Sequence, residues 1–109
     1  MRVRKKLSFY ITPRINLTLY KGHLPVGWGH LDPQDGKTWL GVAVAQGYAK
    51  KGYGSMIVKK LCEYADNAGW NLHLTCKKEL TKWYQKFEFI YIERKNGKDY
   101  CYRRSRVYR

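Results

Sequence analysis

Acidic residues, cysteines and long apolar runs are scarce in this sequence. Only 8 Asp and Glu residues stand against 22 Lys and Arg in 109 residues. The three cysteines are odd in number, and no pair has zinc-finger or redox spacing, which favours free thiols, a reducing compartment and no metal site. No apolar run approaches the roughly 20 residues that span a bilayer, and the first residues do not resemble a signal peptide. We therefore expect a cytoplasmic protein with no membrane partner.

The excess of basic residues gives a formal net charge of +14. Such a charge creates a long-range positive field that attracts polyanions and acidic proteins, so nucleic acid is a candidate partner. Solubility with basic chain ends is an alternative that stays open. The charge is concentrated in three groups of residues: Arg2, Arg4, Lys5 and Lys6; Lys77, Lys78, Lys82 and Lys86; and Arg103, Arg104, Arg106 and Arg109.

The pattern of apolar residues predicts one α+β domain over residues 1–109. No repeat, low-complexity segment or linker divides the chain, and 16% aromatic residues supply large side chains for one small core. Turns are expected at 13–14, 21–25 and 33–36, and Asn96-Gly97 is a strong type I′ hairpin signal. Alternation with period two predicts strands, and spacings of four and seven predict helices. The expected order is strands at 7–12, 15–20, 26–32 and 39–44, a helix at 53–68, a strand at 71–76, a helix at 79–87 and a hairpin of 89–93 with 98–103.

The strand at 39–44 is apolar on both faces, which is typical of a central strand covered by helices on each side. Strands followed by interleaved helices favour a mixed sheet with a helix on each face.

The loop between this strand and the first helix has the composition of an anion-binding site. Gly52 and Gly54 allow the backbone to approach a ligand closely, and the helix that follows offers unpaired N–H groups. Lys50 and Lys51 add two positive charges. The spacing matches neither the dinucleotide-binding fingerprint nor the P-loop.

Two segments of the chain resemble motifs of the GNAT superfamily of N-acetyltransferases. Residues 49–54, Ala-Lys-Lys-Gly-Tyr-Gly, are similar to the signature Gln/Arg-x-x-Gly-x-Gly/Ala, with Ala49 as the departure. Residues 83–89, Trp-Tyr-Gln-Lys-Phe-Glu-Phe, are similar to the late motif aromatic-Tyr-x-Lys-x-Gly-Phe, with Glu88 in place of Gly. The resemblance covers roughly residues 26–103. It implies a largely antiparallel sheet of about six to seven strands, here without the family's first helices.

The resemblance also implies acetyl-CoA as the co-substrate. The pantetheine arm is expected beside the fourth strand, at a splayed gap next to Val42 and Val44. Tyr84 is the implied general acid, which protonates the departing thiolate; the alternative is a core aromatic. The pyrophosphate is expected on the backbone of Ala49, Lys50, Lys51, Gly52, Tyr53, Gly54 and Ser55.

The acceptor is expected to be a primary amine. A lysine-like amine with a pKa of about 10.4 is mostly protonated at pH 7, so a base is needed. The candidates are His30, Asp32 and His73, although a histidine in such a strand is commonly a partly buried residue with a satisfied hydrogen bond.

The missing helices leave the acceptor side open, which favours an amine on a macromolecule, either a protein lysine or a protein terminus. Three alternatives stay open: an acetyltransferase for a nucleic-acid-borne amine, a non-catalytic nucleic-acid-binding module, and a coenzyme-binding protein without transfer activity.

Overall fold

A computed structural model describes residues 6–11 and 15–106. Within them, one mixed sheet has seven strands in the order β1-β2-β3-β4-β5-β7-β6, and only β4 and β5 pair in parallel. The α+β class and the largely antiparallel sheet are therefore confirmed. The strands are β1 Leu7–Ile11, β2 Asn16–Lys21, β3 Leu24–Gln34, β4 Lys37–Val44, β5 Leu72–Lys77, β6 Ile90–Lys95 and β7 Lys98–Arg103, and the helices are α1 Tyr53–Ala68 and α2 Thr81–Gln85.

The strands are longer than predicted where the turns are tighter. The predicted loops at 21–25 and 33–36 shrink to two residues each, and in the second both Asp35 and Gly36 adopt positive φ. Asn96 and Gly97 also have positive φ, as the predicted type I′ turn requires. The predicted turn at 13–14 lies outside the described residues, as do Arg2, Arg4, Lys5 and Arg109.

Helix α1 packs closely on β3 because two glycines remove the side chains between them. A Cβ on Gly27 or Gly29 would come within 2.6 Å of the Ile57 side chain. Ile57 and Leu61 are almost completely buried there. The helix ends at Gly69, whose φ of 75° is the left-handed conformation that glycine adopts at low cost.

Helix α2 is shorter than the predicted helix at 79–87, because residues 78–80 form a 3-10 turn. It packs on the same sheet face as α1. Its buried Tyr84 belongs to the core that α1 covers, and Trp83 lies 3.5 Å from the position of a Cβ on Gly54. Both helices therefore lie on one face, rather than one on each. Among the described residues, no helix has both the length and the apolar character needed to cross a bilayer.

The opposite face of the sheet has no helix over it in the described part of the chain. The expectation that β4 is covered on both faces is therefore wrong, since Leu40 is buried but Ala43 on the other side is exposed. Four residues separate Ile11 from Asn16, which is too short for the family's first helices. We call this surface the open face. The strand register places on it Trp28, His30, Asp32, Trp39, His73, Lys77, Lys98, Tyr100 and Tyr102.

Candidate active site

Strands β4 and β5 separate soon after they meet. They pair only at Thr38 with Leu72 and at Trp39 with His73, although β4 continues to Val44. Residues 40–44 therefore have no strand partner on the β5 side, and backbone groups along that edge are free to bind a ligand. The splayed gap expected beside the fourth strand is confirmed.

A cleft of about 540 Å³ opens at this gap. It brings together eight of the predicted site residues from β4, the loop, α1 and α2. Lys51 is exposed and does not line the cleft, and the buried Tyr53 ring stacks on Tyr48, so Tyr53 could offer only its backbone. The predicted residues in the lining are Val42, Val44, Ala49, Lys50, Gly52, Gly54, Ser55 and Tyr84.

The start of α1 has backbone N–H groups that lack a helical partner. The first helical hydrogen bond runs from the Met56 N–H to the Gly52 carbonyl, so the N–H groups of residues 53–55 have no helical acceptor. No side chain caps the helix, and no acidic residue lies in its first turn. Gly52 has a φ of 82°, and a Cβ there would meet no atom within 4 Å, so space remains in front of the helix.

Tyr84 lies in the wall of the same cleft. Its ring packs edge-on against Trp83 at 4.8 Å and against Phe89 at 5.8 Å, and only 7% of the residue is exposed. This burial, with the nearby thiols of Cys76 and Cys101, raises the pKa of Tyr84 to about 12. The hydroxyl is therefore neutral at physiological pH and carries a proton that it can donate.

The three candidate bases lie on the open face, on the other side of the sheet from Tyr84. A Cβ at Gly41 would overlap the His30 ring, so this ring lies directly over β4. His73 Nδ1 is 2.6 Å from the Tyr100 hydroxyl, and burial together with Lys37 lowers the pKa of His73. Asp32 is exposed opposite Trp39. The gap between β4 and β5 is the route by which a group on this face could reach the cleft.

Sequence reasoning missed five residues that line the cleft: Ala43, Tyr48, Glu79, Leu80 and Trp83. Tyr48 directly precedes the first motif, Trp83 is the first residue of the second, and Ala43 lies between Val42 and Val44 on β4. These positions were the available signal. Glu79 and Leu80 lie in the 3-10 turn, for which no motif or periodicity pointed to a site. In residues 6–11 and 15–106, no group of three or more His, Cys, Asp or Glu could hold a metal ion, and all three cysteines are free and buried.

Two of the basic residues near the C-terminus take part in an ion-pair network. Arg103 is 3% exposed and donates to both carboxylate oxygens of Asp66, at 2.8 and 3.0 Å, and to the Phe87 carbonyl. Arg106 bonds to Glu88, the residue that replaces the motif's glycine and keeps a left-handed φ of 72°. Arg103 and Arg106 therefore hold residues 103–106 against Asp66 of α1 and against Glu88.

Solved structures of other proteins share the fold of this chain. Escherichia coli ElaA has 18% identity and a TM-score of 0.70, over 81% of this chain and 66% of that one. The ribosomal-protein-S18-alanine N-acetyltransferase of the same organism has 17% identity and a TM-score of 0.70, over 84% and 68%. The PaiA N-acetyltransferase of Thermoplasma acidophilum, in complex with coenzyme A, has 12% identity and a TM-score of 0.67, over 82% and 59%.

The chain thus spans about two thirds of the length of the first two structures and less of the third. No curated protein sequence matches it. The model of the family described as Acetyltransferase (GNAT) family matches residues 5–89, well over half of the chain. The chain therefore belongs to the GNAT acetyltransferase family.

Proposed function

We propose that this chain is an N-acetyltransferase that transfers an acetyl group from acetyl-CoA to a primary amine. One observation carries the proposal. The free edge of β4, the unpaired N–H groups at the start of α1 and the protonated Tyr84 line the same cleft.

The residues present fit the coenzyme. The helix start offers N–H groups and the positive end of its dipole to the pyrophosphate, and Lys50 and Lys51 add charge. Gly52 leaves room for the anion, since nothing lies within 4 Å of its Cβ position. Ala49 provides no polar side chain, but the backbone contacts do not require one. The pantetheine arm would lie along Val42 and Val44, with its amides bonded to the free strand edge as an added strand would be.

The Tyr84 hydroxyl is the proposed proton donor. Acetyl-CoA supplies a thioester, from which the acetyl group departs to an amine and leaves a thiolate that needs a proton. Tyr84 holds its proton at neutral pH because burial keeps the phenol neutral. Among the candidate bases, His73 is the best supported, because its lowered pKa leaves a neutral imidazole beside the gap. His30 and Asp32 remain candidates on the same face.

The acceptor is proposed to be an amine on a macromolecule. The open face has no helix over it in the described chain, and only four residues join β1 to β2. An acceptor site without these walls can admit a protein lysine or terminus. A nucleic-acid-borne amine is the second candidate, and the net charge of +14 favours it.

The coenzyme site is tested by thermal unfolding with and without acetyl-CoA. At one hundred times its dissociation constant, a ligand stabilises the fold by about 2.7 kcal/mol. Gly52→Asp should abolish this shift because it places an anion in the cradle. Gly52→Asn is the matched control, since Asn and Asp have nearly the same shape and both tolerate positive φ.

The proposed coenzyme site is supported if the Gly52→Asn protein keeps most of the thermal shift and the Gly52→Asp protein loses it. Equal shifts in both variants would contradict it. The acceptor is then sought by incubating the parent and Tyr84→Phe proteins with labelled acetyl-CoA in cell extract. Mass spectrometry should find an acetylated protein or nucleic acid that the parent produces and the variant does not.

A further inference from the structure

We propose that the open face of the sheet binds single-stranded nucleic acid across β5, β7 and β6. Two clusters on this face carry the proposal. The aromatic platform consists of Trp39, His73, Tyr100 and Tyr102. The lysine row consists of Lys77, Lys98 and Lys95. Both lie on the side of the sheet away from the cleft, so this binding requires no coenzyme.

The aromatic platform is a group of rings in mutual contact. Trp39 lies 5.5 Å from His73 and 6.0 Å from Tyr100, measured between ring centroids. His73 and Tyr100 are almost parallel, with 2° between their planes, and Tyr102 lies 5.1 Å from His73. All four residues are partly exposed. Rings held in this way on a sheet face form a surface on which unstacked bases can lie.

The lysine row places three ammonium groups side by side. Lys98 pairs directly with Lys77 on one side and with Lys95 on the other, and all three are exposed. Like charges directly opposite one another destabilise a sheet. Among the described residues, the carboxylates in ion pairs are Asp66, Glu88 and Asp99, and all of them bind arginines. The lysine row therefore gains no ion pair within the described chain, and a bound anion would relieve its repulsion.

The spacing of the two clusters suits one strand of nucleic acid. Lys98 and Tyr100 are two residues apart on β7, which is about 7 Å along a strand. A base stacked on Tyr100 would thus have its phosphate within reach of the lysine row. Lys37 adds a fourth ammonium group, 5.9 Å from the centre of the Tyr100 ring. Aromatic rings interleaved with basic side chains are the usual surface for single strands, whose bases are free to stack.

Other occupants fit this face less well. A duplex keeps its bases stacked on one another and could use only the lysines. A second copy of the chain would bring another net charge of +14 and a second lysine row. The carboxylates on this face are Asp32 and Glu93, and they are too few to complement such a partner.

The test measures fluorescence anisotropy of a labelled oligouridine of about 12 nucleotides and of an RNA duplex of the same length. The parent should bind the single strand at least tenfold more tightly at about 0.1 M salt. In a triple variant, Lys77, Lys95 and Lys98 are each replaced by Gln. The slope of log binding constant against log salt concentration, here called the salt slope, should become smaller in magnitude by about 2. Each phosphate contact in a single strand contributes about 0.7 to it.

The matched control replaces Lys59, Lys60 and Lys82 by Gln. It removes the same charge from the helices and should keep most of the affinity and the salt slope. For the platform, the double variant Trp39→Leu with Tyr102→Leu should weaken binding at least tenfold, because stacking on aromatic rings is lost. Trp70→Leu removes an exposed ring that packs on Tyr64 of α1, and should have little effect.

Three results would overturn the proposal: no binding of the single strand by the parent, equal losses in both lysine variants, or a duplex bound as tightly as the single strand. Sedimentation that finds a dimer which the platform variant disrupts would also overturn it, since a second copy would then cover the face. Each variant is first required to keep the unfolding temperature of the parent without ligand, which reports folding. Its thermal shift with acetyl-CoA is recorded separately and reports the coenzyme site. Loss of oligonucleotide binding alone therefore says nothing against the proposed acetyltransferase.

Discussion

Replacing Tyr84 by Phe removes the proposed proton donor and keeps the ring. With a pKa of about 12, this phenol is a weaker acid than an exposed tyrosine. A thiol has a pKa of about 8.5, so proton transfer to the thiolate is uphill by about 3.5 units, or roughly 4.8 kcal/mol. An unperturbed phenol would give a mismatch of only about 1.5 units. General-acid catalysis contributes about 10² to 10⁴, and the larger mismatch favours the lower end, so we expect kcat to fall about 100-fold.

The assay follows release of the coenzyme thiol at saturating acetyl-CoA, with the acceptor found in extract, from pH 7 to pH 10. An acid whose pKa is raised keeps its proton to higher pH. The ratio of parent to Tyr84→Phe activity should therefore stay constant over this range. Tyr53→Phe is the matched control, because it removes a hydroxyl from another buried tyrosine whose ring does not line the cleft.

Two results would refute the reasoning. A ratio near one at every pH would make Tyr84 a packing residue only. A ratio that falls towards one between pH 8 and pH 10 would mean that the phenol ionises normally, so that burial does not hold its proton. The thermal shift with acetyl-CoA must remain in the variant, since a lost shift would make Tyr84 a coenzyme contact instead.

Further predictions concern the ion-pair network and the charge. Arg103→Gln removes the ion-pair partner of Asp66, which keeps only the hydrogen bond from the Arg106 N–H, and should lower the free energy of unfolding by about 3 to 5 kcal/mol in urea. The exposed Arg104→Gln should cost less than about 1 kcal/mol. Arg103 holds the pKa of Asp66 below its ordinary value. The stabilisation from this ion pair is therefore fully present at pH values above the ordinary pKa, and it is lost as pH falls through the lowered pKa. The difference in unfolding free energy between parent and Asp66→Asn should thus be constant from about pH 8 to 5 and shrink below about pH 4; a difference that grows in acid would contradict this. Capture of the acceptor at saturating acetyl-CoA should slow as salt shortens the screening length from about 8 to 3 Å, and a flat profile would argue against recognition by charge.

The basic residues near the C-terminus illustrate where composition misleads. Counted as charges, Arg103 and Arg106 look like a surface for acidic partners. In the structure they bind Asp66 and Glu88, and Arg103 is almost completely buried. A test of acceptor recognition that replaced them would measure stability instead. The distance between Arg103 and Asp66 in the sequence, 37 residues, explains why no local pattern predicted the pair.

Local patterns predicted the elements themselves. Alternating apolar residues identified the strands, and the spacing of Ile57, Leu61 and Ala65 identified α1, because both periods follow from backbone geometry alone. Asn96-Gly97 specified its turn through positive φ. The loop at 49–54 indicated an anion cradle, since glycines and a helix start act within a few residues of one another.

Tertiary packing decided which residues face one another. The strand at 39–44 is apolar on both sides in sequence, yet its exposed Ala43 depends on where the two helices dock. The same packing places Tyr84 in the cleft with Gly52, and His73 on the other face of the sheet. Burial then raises the pKa of Tyr84 and lowers that of His73. The spacing of apolar residues in the sequence specifies which side of its own strand or helix a side chain lies on. Which residues it packs against there depends on contacts between segments that are distant in the sequence.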